Sequence, residues 1–180
     1  MDSFDLEDEF FPNEERLGYS ETFLGKYPLL VKETFKTMLN MELDHHGTTV
    51  ETEGRGRTLV AYQKLCDDVG ESKTFTALAI RHGKAGELAE RYFANLKESA
   101  RREEAADEDE DAADFCKELL NNINCACTYK YDIDFKLELP ESQRNVKLIA
   151  KPLYLLRFSE GEFEIDVFAA FGDGFEIKRL

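Results

Sequence analysis

Apolar residues along this chain recur with two different periods, and the switches between them mark out its elements. In PLLVKETFKTMLNMEL, residues 28–43, Leu30 or Val31, Thr34, Phe35, Met38 and Leu39 share one side, with Lys32, Glu33 and Lys36 elsewhere. That i, i+3, i+4 spacing predicts a helix of about four turns with Pro28 in its first turn. GTTVETEGRGR, residues 47–57, reads as a strand start and loop punctuated by Gly47, Gly54 and Gly56. TLVAYQKLC and TFTALAIRH read as two strands joined by the turn-like DDVGESK. From Lys84, KAGELAERYFANL returns to helical spacing, with Leu88, Ala89, Tyr92 and Phe93 clustered, and a further helix is predicted around ADFCKELLNN, residues 113–122. In YKYDIDFKLEL the residues Tyr129, Tyr131, Ile133, Phe135 and Leu137 alternate with Lys130, Asp132, Asp134, Lys136 and Glu138, which predicts a half-buried strand closed by Pro140. LYLLRF, the turn SEGE with Gly161, and FEIDVFAAF predict a hairpin, and FEIKRL a last edge strand. Helices and strands in this order give an α+β class, with helices packed on an antiparallel or mixed sheet.

Composition changes this picture at the ends and on the surface. Residues 1–27 are acidic and aromatic without clean periodicity, so a weakly ordered N-terminal extension is expected, with Phe4, Phe10 and Phe11 as candidate docking residues. Residues 28–180 then form one domain, and a 42% hydrophobic fraction is enough for a core. A formal charge of -15 and a pI near 4.7 argue against nucleic acid and against an anionic membrane surface, since both need clustered Lys and Arg. No apolar run is long enough to span a bilayer and no basic-then-apolar leader opens the chain, so a cytoplasmic protein is expected. The five acids from Asp107 to Asp111 suit a solvated loop or a frayed helix start, where acids also complement the helix dipole.

Candidate chemistry is sparse. Cys66, Cys116, Cys125 and Cys127 lack the paired spacing of a zinc site and read as reduced, partly buried thiols. Asp44, His45 and His46 are adjacent, and neighbours on a regular element point different ways, so a polar strand start suits them better than a metal site. The helix around ADFCKELLNN is more informative. At about 100° per residue, Asp114, Glu118, Asn121 and Cys125 line one narrow stripe, while Phe115, Leu119, Ile123 and Ala126 lie on the other side, extended by Leu120 and Cys127. An ordinary solvated face accounts for two acids and an amide. Three asparagines, Asn121, Asn122 and Asn124, are less ordinary, because Asn is a poor helix former. A carboxamide donates and accepts together, so it can orient a water, the task that phosphoryl transfer asks of a glutamine in GTPases. A stripe of this kind needs no metal, nucleophile or deep pocket of its own.

Asp114-x-x-x-Glu118-x-x-Asn121 resembles the D/S-x-x-x-E-x-x-N signature of the CheC/CheX/FliY phosphatases, which act on phosphorylated CheY in bacterial chemotaxis. VKETFKTMLNME is similar to the first CheX helix, TLVAYQKLC with TFTALAIRHGKAGELAERYF to its strand, strand, helix segment, and DIDFKLELP with LYLLRFSEGEFEIDVFAAF to its C-terminal sheet. The resemblance runs from about residue 28 to the end. It implies a pseudo-twofold α+β domain with two long helices on one side of a sheet, and a homodimer built through the sheets. It implies that Glu118 engages the active-site lysine of a phosphorylated CheY-like receiver domain and that Asn121 positions the hydrolytic water. Asp114, Asn122 and Cys125 are the expected partner contacts. No cofactor of the chain's own is implied, and Mg²⁺ belongs to the receiver. CheC-type members carry a second motif on the first helix; here the matching stretch is Glu33-Thr34-Phe35-Lys36, with lysine in place of asparagine, which leaves one site per chain. The chain departs from the family in having Cys125 where glycine is usual and Asn124 where a small residue is common. A non-catalytic binding module of the same fold is the alternative, and an unrelated α+β domain a third.

Overall fold

The computed structural model describes residues 3–55, 59–66, 73–80, 84–95, 108–131, 136–172 and 174–180. Helix α1 (Ser3–Leu39) leads into strand β1 (Asp44–Arg55), followed by β2 (Leu59–Cys66), β3 (Lys73–Ile80), α2 (Lys84–Asn95) and α3 (Glu108–Tyr131). The chain ends in β4 (Lys136–Leu137), β5 (Glu141–Arg144), β6 (Val146–Glu160), β7 (Phe163–Phe171) and β8 (Glu176–Arg179). The strands form one sheet ordered β1-β6-β7-β3-β2-β4, with β5 also paired to β2 and β8 to β6. Each of these pairings is antiparallel.

Alternation along the strands decides which layer each side chain joins. Leu59 and Ala61 of β2, Leu78 and Ile80 of β3, Leu156 and Phe158 of β6, and Ile165, Val167 and Ala169 of β7 face the helices. From the other side they meet Phe23, Tyr27, Leu30, Val31, Phe35 and Leu39 of α1, Leu88 of α2, and Phe115, Leu119 and Ile123 of α3. The three helices therefore cover one face of the sheet, as α+β layering requires. The opposite face has its own core, in which Val60, Ala77, Ala79, Phe168 and Ala170 pack with Val146, Leu148, Ala150 and Leu153 from the first half of β6. Burial on both faces explains why β7 reads VFAAF, an apolar run without alternation.

Two elements differ from the sequence expectation. The helix does not start at Pro28: α1 is helical from Ser3, and Phe23 and Tyr27 lie in the core, so the expected division between residues 27 and 28 falls inside a continuous helix. Proline removes one backbone donor from a helix, but here Phe23 stacks on Tyr27 at 4.6 Å and meets Phe171 edge-on at 5.5 Å. Tertiary packing overrides the local stop signal. Side chains before Glu21, including Phe4, Phe10 and Phe11, lie outside the described residues. The second difference is at residues 129–138, where α3 continues through Tyr131 and, among the described residues, the strand is Lys136–Leu137. Alternation predicted a strand from Tyr129, but the preceding helix, anchored by Cys127 in the core, carries Tyr129 and Tyr131 in its last turn. Helix α1 ends at Leu39, short of the end of the stretch read as helical, with Asn40 at φ 52° and its N–H donating to the Lys36 carbonyl at 3.0 Å, an αL cap.

Gly54 of β1 lies under the side chains of Phe168 of β7 and Leu153 of β6, within the same sheet. A Cβ placed there would stand 2.4 Å from Phe168 Cε1 and 3.1 Å from Leu153 Cδ2. Gly54→Ala is therefore expected to destabilise the fold by about 1–3 kcal/mol through overpacking, seen as a lower midpoint in thermal denaturation followed by circular dichroism.

At the start of β1, His45 and His46 turn to different neighbours. His46 Nε2 meets Ser159 Oγ at 2.5 Å, while the His45 ring stacks on Phe158 at 4.8 Å and its buried Nε2 has no partner among the described residues. Desolvation holds the His45 imidazole below its ordinary pKa of 6.5, against a hydrogen bond that the ring donates to the Gly47 backbone, which pulls upward. The unfolded chain then takes up this proton at a higher pH than the folded one. The contribution to stability is full above about pH 6.5 and is lost as pH falls through the lower folded value. Melting temperature should decline between about pH 7 and pH 5, above the carboxylate range, and His45→Phe should flatten that slope.

Candidate functional site

Every candidate residue sits on α3, whose burial follows the helical wheel. Phe115, Cys116, Leu119, Leu120, Ile123 and Cys127 are buried. Asp114 and Glu118 are exposed, and Asn121 and Cys125 are half-buried one and two turns further along the same stripe. The structure thus brings Asp114, Glu118, Asn121 and Cys125 together. Asn122 is exposed beside the stripe, and its amide donates to the Glu118 carbonyl at 3.0 Å, one turn back.

The charges on the stripe are held in different ways. Asp114 pairs with Lys117 at 3.0 Å across one turn. Glu118 accepts a hydrogen bond from the Tyr92 hydroxyl of α2 at 3.1 Å, and no cation of the described residues pairs with it. Desolvation, and then this carboxylate, push the Tyr92 phenol above its ordinary pKa, so it stays a donor. Burial likewise raises the Cys125 thiol, and pushes Cys116 and Cys127 up to about 12, which keeps all three protonated and poor as nucleophiles or ligands. Among the described residues no group of three or more His, Cys, Asp or Glu is placed to hold a metal ion.

Beneath the stripe lies a set of buried polar side chains of which only Asn124 stood out in the sequence. Gln63 of β2, only 1% exposed, donates from Nε2 to Asn121 Oδ1 at 2.7 Å and to the Glu138 carbonyl at 2.8 Å. Its Oε1 accepts from Asn124 Nδ2 at 2.7 Å, and that same nitrogen donates to Thr76 Oγ1 of β3 at 2.8 Å. Tyr27 of α1 closes the set, its hydroxyl donating to Asn124 Oδ1 at 2.5 Å. Asn124, Thr76 and Tyr27 are essentially without solvent contact. Burial costs a polar group dearly unless it is hydrogen-bonded, and each of these has found its partner. The signal was present in TLVAYQKLC: Gln63 shares the inward register of Leu59, Ala61 and Leu65, where a lone amide needs a buried partner.

No protein-family model matches the chain, and no curated protein sequence matches it. Solved structures do match. A chemotaxis protein CheX from Desulfovibrio desulfuricans superposes with a TM-score of 0.66 at 12% identity, over 83% of this chain and 99% of that one. A CheC-like superfamily protein from Shewanella gives 0.65 at 16% identity, over 84% and 97%. The CheX–CheY–BeF3–Mg²⁺ complex from Borrelia burgdorferi gives 0.63 at 13% identity, over 84% and 98%. The chain has the CheX fold. Long helices on one side of an antiparallel sheet, expected from the resemblance, are what the structure contains.

Within this CheX fold, Asn124 is the amide that links α1, β2 and β3. Asn124→Leu keeps the branched shape but takes the amide partner from Gln63 Oε1 and from the Tyr27 hydroxyl in the core. It should cost at least about 2 kcal/mol, against about 1 kcal/mol for Tyr27→Phe, which removes one hydroxyl at the end of the set. Urea unfolding with an unchanged m-value would measure both.

Proposed function

We propose that this chain is a CheX-like phosphatase that hydrolyses the aspartyl phosphate of a phosphorylated CheY-like receiver domain. The observation that carries the reading is an exposed Glu118 one turn from an internally held Asn121, on the outer face of α3 in a CheX fold. The likeness to a CheX–CheY complex supports the choice of partner.

In this reading Glu118 accepts a charge-assisted hydrogen bond from the receiver's active-site lysine, which fixes α3 over the phosphoryl group. Asn121 then holds a water in line with the bond from phosphorus to the aspartate oxygen. Water forms the new bond to phosphorus, the bond to aspartate breaks, and the products are a free carboxylate and inorganic phosphate, which takes the proton. Phosphoryl transfer has a loose transition state that asks for positioning more than for a strong base, so a neutral carboxamide suffices. With one Oδ1 lone pair taken by Gln63, the second is left for a water proton and Nδ2 for a phosphoryl oxygen. Mg²⁺ would come with the receiver. Asp114, Asn122 and Cys125 flank the contact. A cytoplasmic setting belongs to the same reading. So does a homodimer through the sheet, for which β1 offers an edge bonded to β6 alone among the described residues, with Thr48, Thr49 and Val50 exposed.

A second reading, capture of the receiver without hydrolysis, is favoured by the Asn121 oxygen already being engaged inside the chain. Loss of phosphate from a phosphorylated receiver domain separates the two. The wild-type chain should accelerate it, Asn121→Ala should lower kcat by about 100-fold or more in a chain that still folds, with a modest fall in melting temperature from the Gln63 proton left unpaired, and Glu118→Ala should act mainly on KM. Equal decay with wild type and Asn121→Ala across a panel of receivers would leave binding alone.

A further inference from the structure

We infer that Gln63 is a positioning residue that sets the orientation of the Asn121 carboxamide, with Asn124 and Tyr27 holding Gln63 in turn; the inference rests on the phosphatase reading above. The direction of each bond follows from the one before it. The Glu138 carbonyl can only accept, and it is fixed beside β2 because the Glu138 N–H donates to the Lys64 carbonyl at 3.0 Å. Gln63 must therefore turn its nitrogen end toward Glu138, at 2.8 Å. The second proton of that nitrogen reaches Asn121, which must present its oxygen inward, at 2.7 Å. The Asn121 amine is thereby directed away from Gln63, toward the stripe that Glu118 shares.

The other half of the set removes the remaining freedom of Gln63. Its oxygen accepts from Asn124 Nδ2, and Asn124 cannot reverse its own amide without setting Oδ1 against that oxygen, while Tyr27 donates to the Oδ1 on the far side. Burial raises the Tyr27 phenol well above its ordinary pKa, so the hydroxyl remains protonated and remains a donor. The terminal torsion of a surface asparagine is broad and nearly two-fold. Held from beneath by Gln63, Asn121 meets a partner with its oxygen and nitrogen already assigned. A water positioned by such a group loses less freedom at the moment of attack than one held by a rotating side chain.

Two measurements on the full chain test this. Gln63→Leu should lower kcat for loss of phosphate from the phosphorylated receiver by roughly 10-fold to 100-fold, with KM within about twofold of wild type. In ¹⁵N relaxation of the free protein, the side-chain amide of Asn121 should become more mobile. Leu148→Ala, a cavity in the core on the opposite face of the sheet, lowers melting temperature without touching this set and should leave kcat and the Asn121 amide unchanged. Gln63→Met, which keeps the chain length, serves where the leucine variant fails to fold. An unchanged kcat and an unchanged Asn121 amide in the Gln63 variants, or an equal loss in Leu148→Ala, would overturn the inference. A wild-type chain that does not accelerate phosphate loss would sink the phosphatase reading alone, and the relaxation comparison would still decide whether Gln63 orients Asn121.

Discussion

The hydrogen bonds around Asn124 are the constraint on which the arrangement of α1, α3, β2 and β3 depends. Apolar contacts between these elements are plentiful, but they are non-directional and tolerate small rotations of a helix on a sheet. A buried amide does not. Asn124 reaches Tyr27, Gln63 and Thr76 at once, at 2.5 to 2.8 Å, from three different elements. Only one rotation and one height of α3 satisfy all three, and any other leaves several buried polar groups unpaired. Buried polar networks of this kind specify a unique packing more than they add stability. Because Asn121 lies three residues before Asn124, the setting that satisfies the core amide also determines where the surface amide stands.

In the proposed phosphatase, the first helix would offer no second site. At the position that corresponds to Asn121, α1 carries Lys36, which is exposed and pairs with Glu42 at 2.9 Å. An ammonium has three donors and no acceptor, so it cannot take a proton from a water while steering it. A buried amide beneath it would also have nothing to donate to. Charge therefore does different work on the two helices: Lys36 of α1 is paired with Glu42, whereas on α3 the exposed Glu118 carboxylate has, among the described residues, a neutral partner, Tyr92.

Much of this was legible in the sequence, and the parts that were not share a cause. Periodicity located β2, β3, α2, the hairpin of β6 and β7, and the two faces of α3, because each has an apolar pattern set by one neighbouring layer. The stripe of Asp114, Glu118 and Asn121 followed from the same wheel. Pattern failed where one period masks another. Residues 129–137 alternate perfectly, yet α3 runs through Tyr131, since the helix is committed by core contacts upstream that a local window does not contain. Pro28 misled for the same reason, with Phe23 and Tyr27 anchoring the turns before it. Gln63 was hidden because a single polar residue in a strand says only that a partner exists, and its partners lie 58 and 61 positions away.

Three asparagines in one helix are costly in propensity, and each offsets that cost differently. Asn122 bonds to the carbonyl one turn back and stays at the surface. Asn124 replaces what would otherwise be an apolar core residue and ties three elements together. Asn121 lies between these extremes, half-buried, with its oxygen committed inward. For the proposed reaction, its intermediate burial is the property that matters. A fully exposed amide would be oriented by whatever it meets, and a fully buried one would meet nothing. Held at the boundary, Asn121 takes its orientation from the interior and offers its remaining donors and lone pair outward, so the ordering entropy is met when the protein folds and not when a partner arrives.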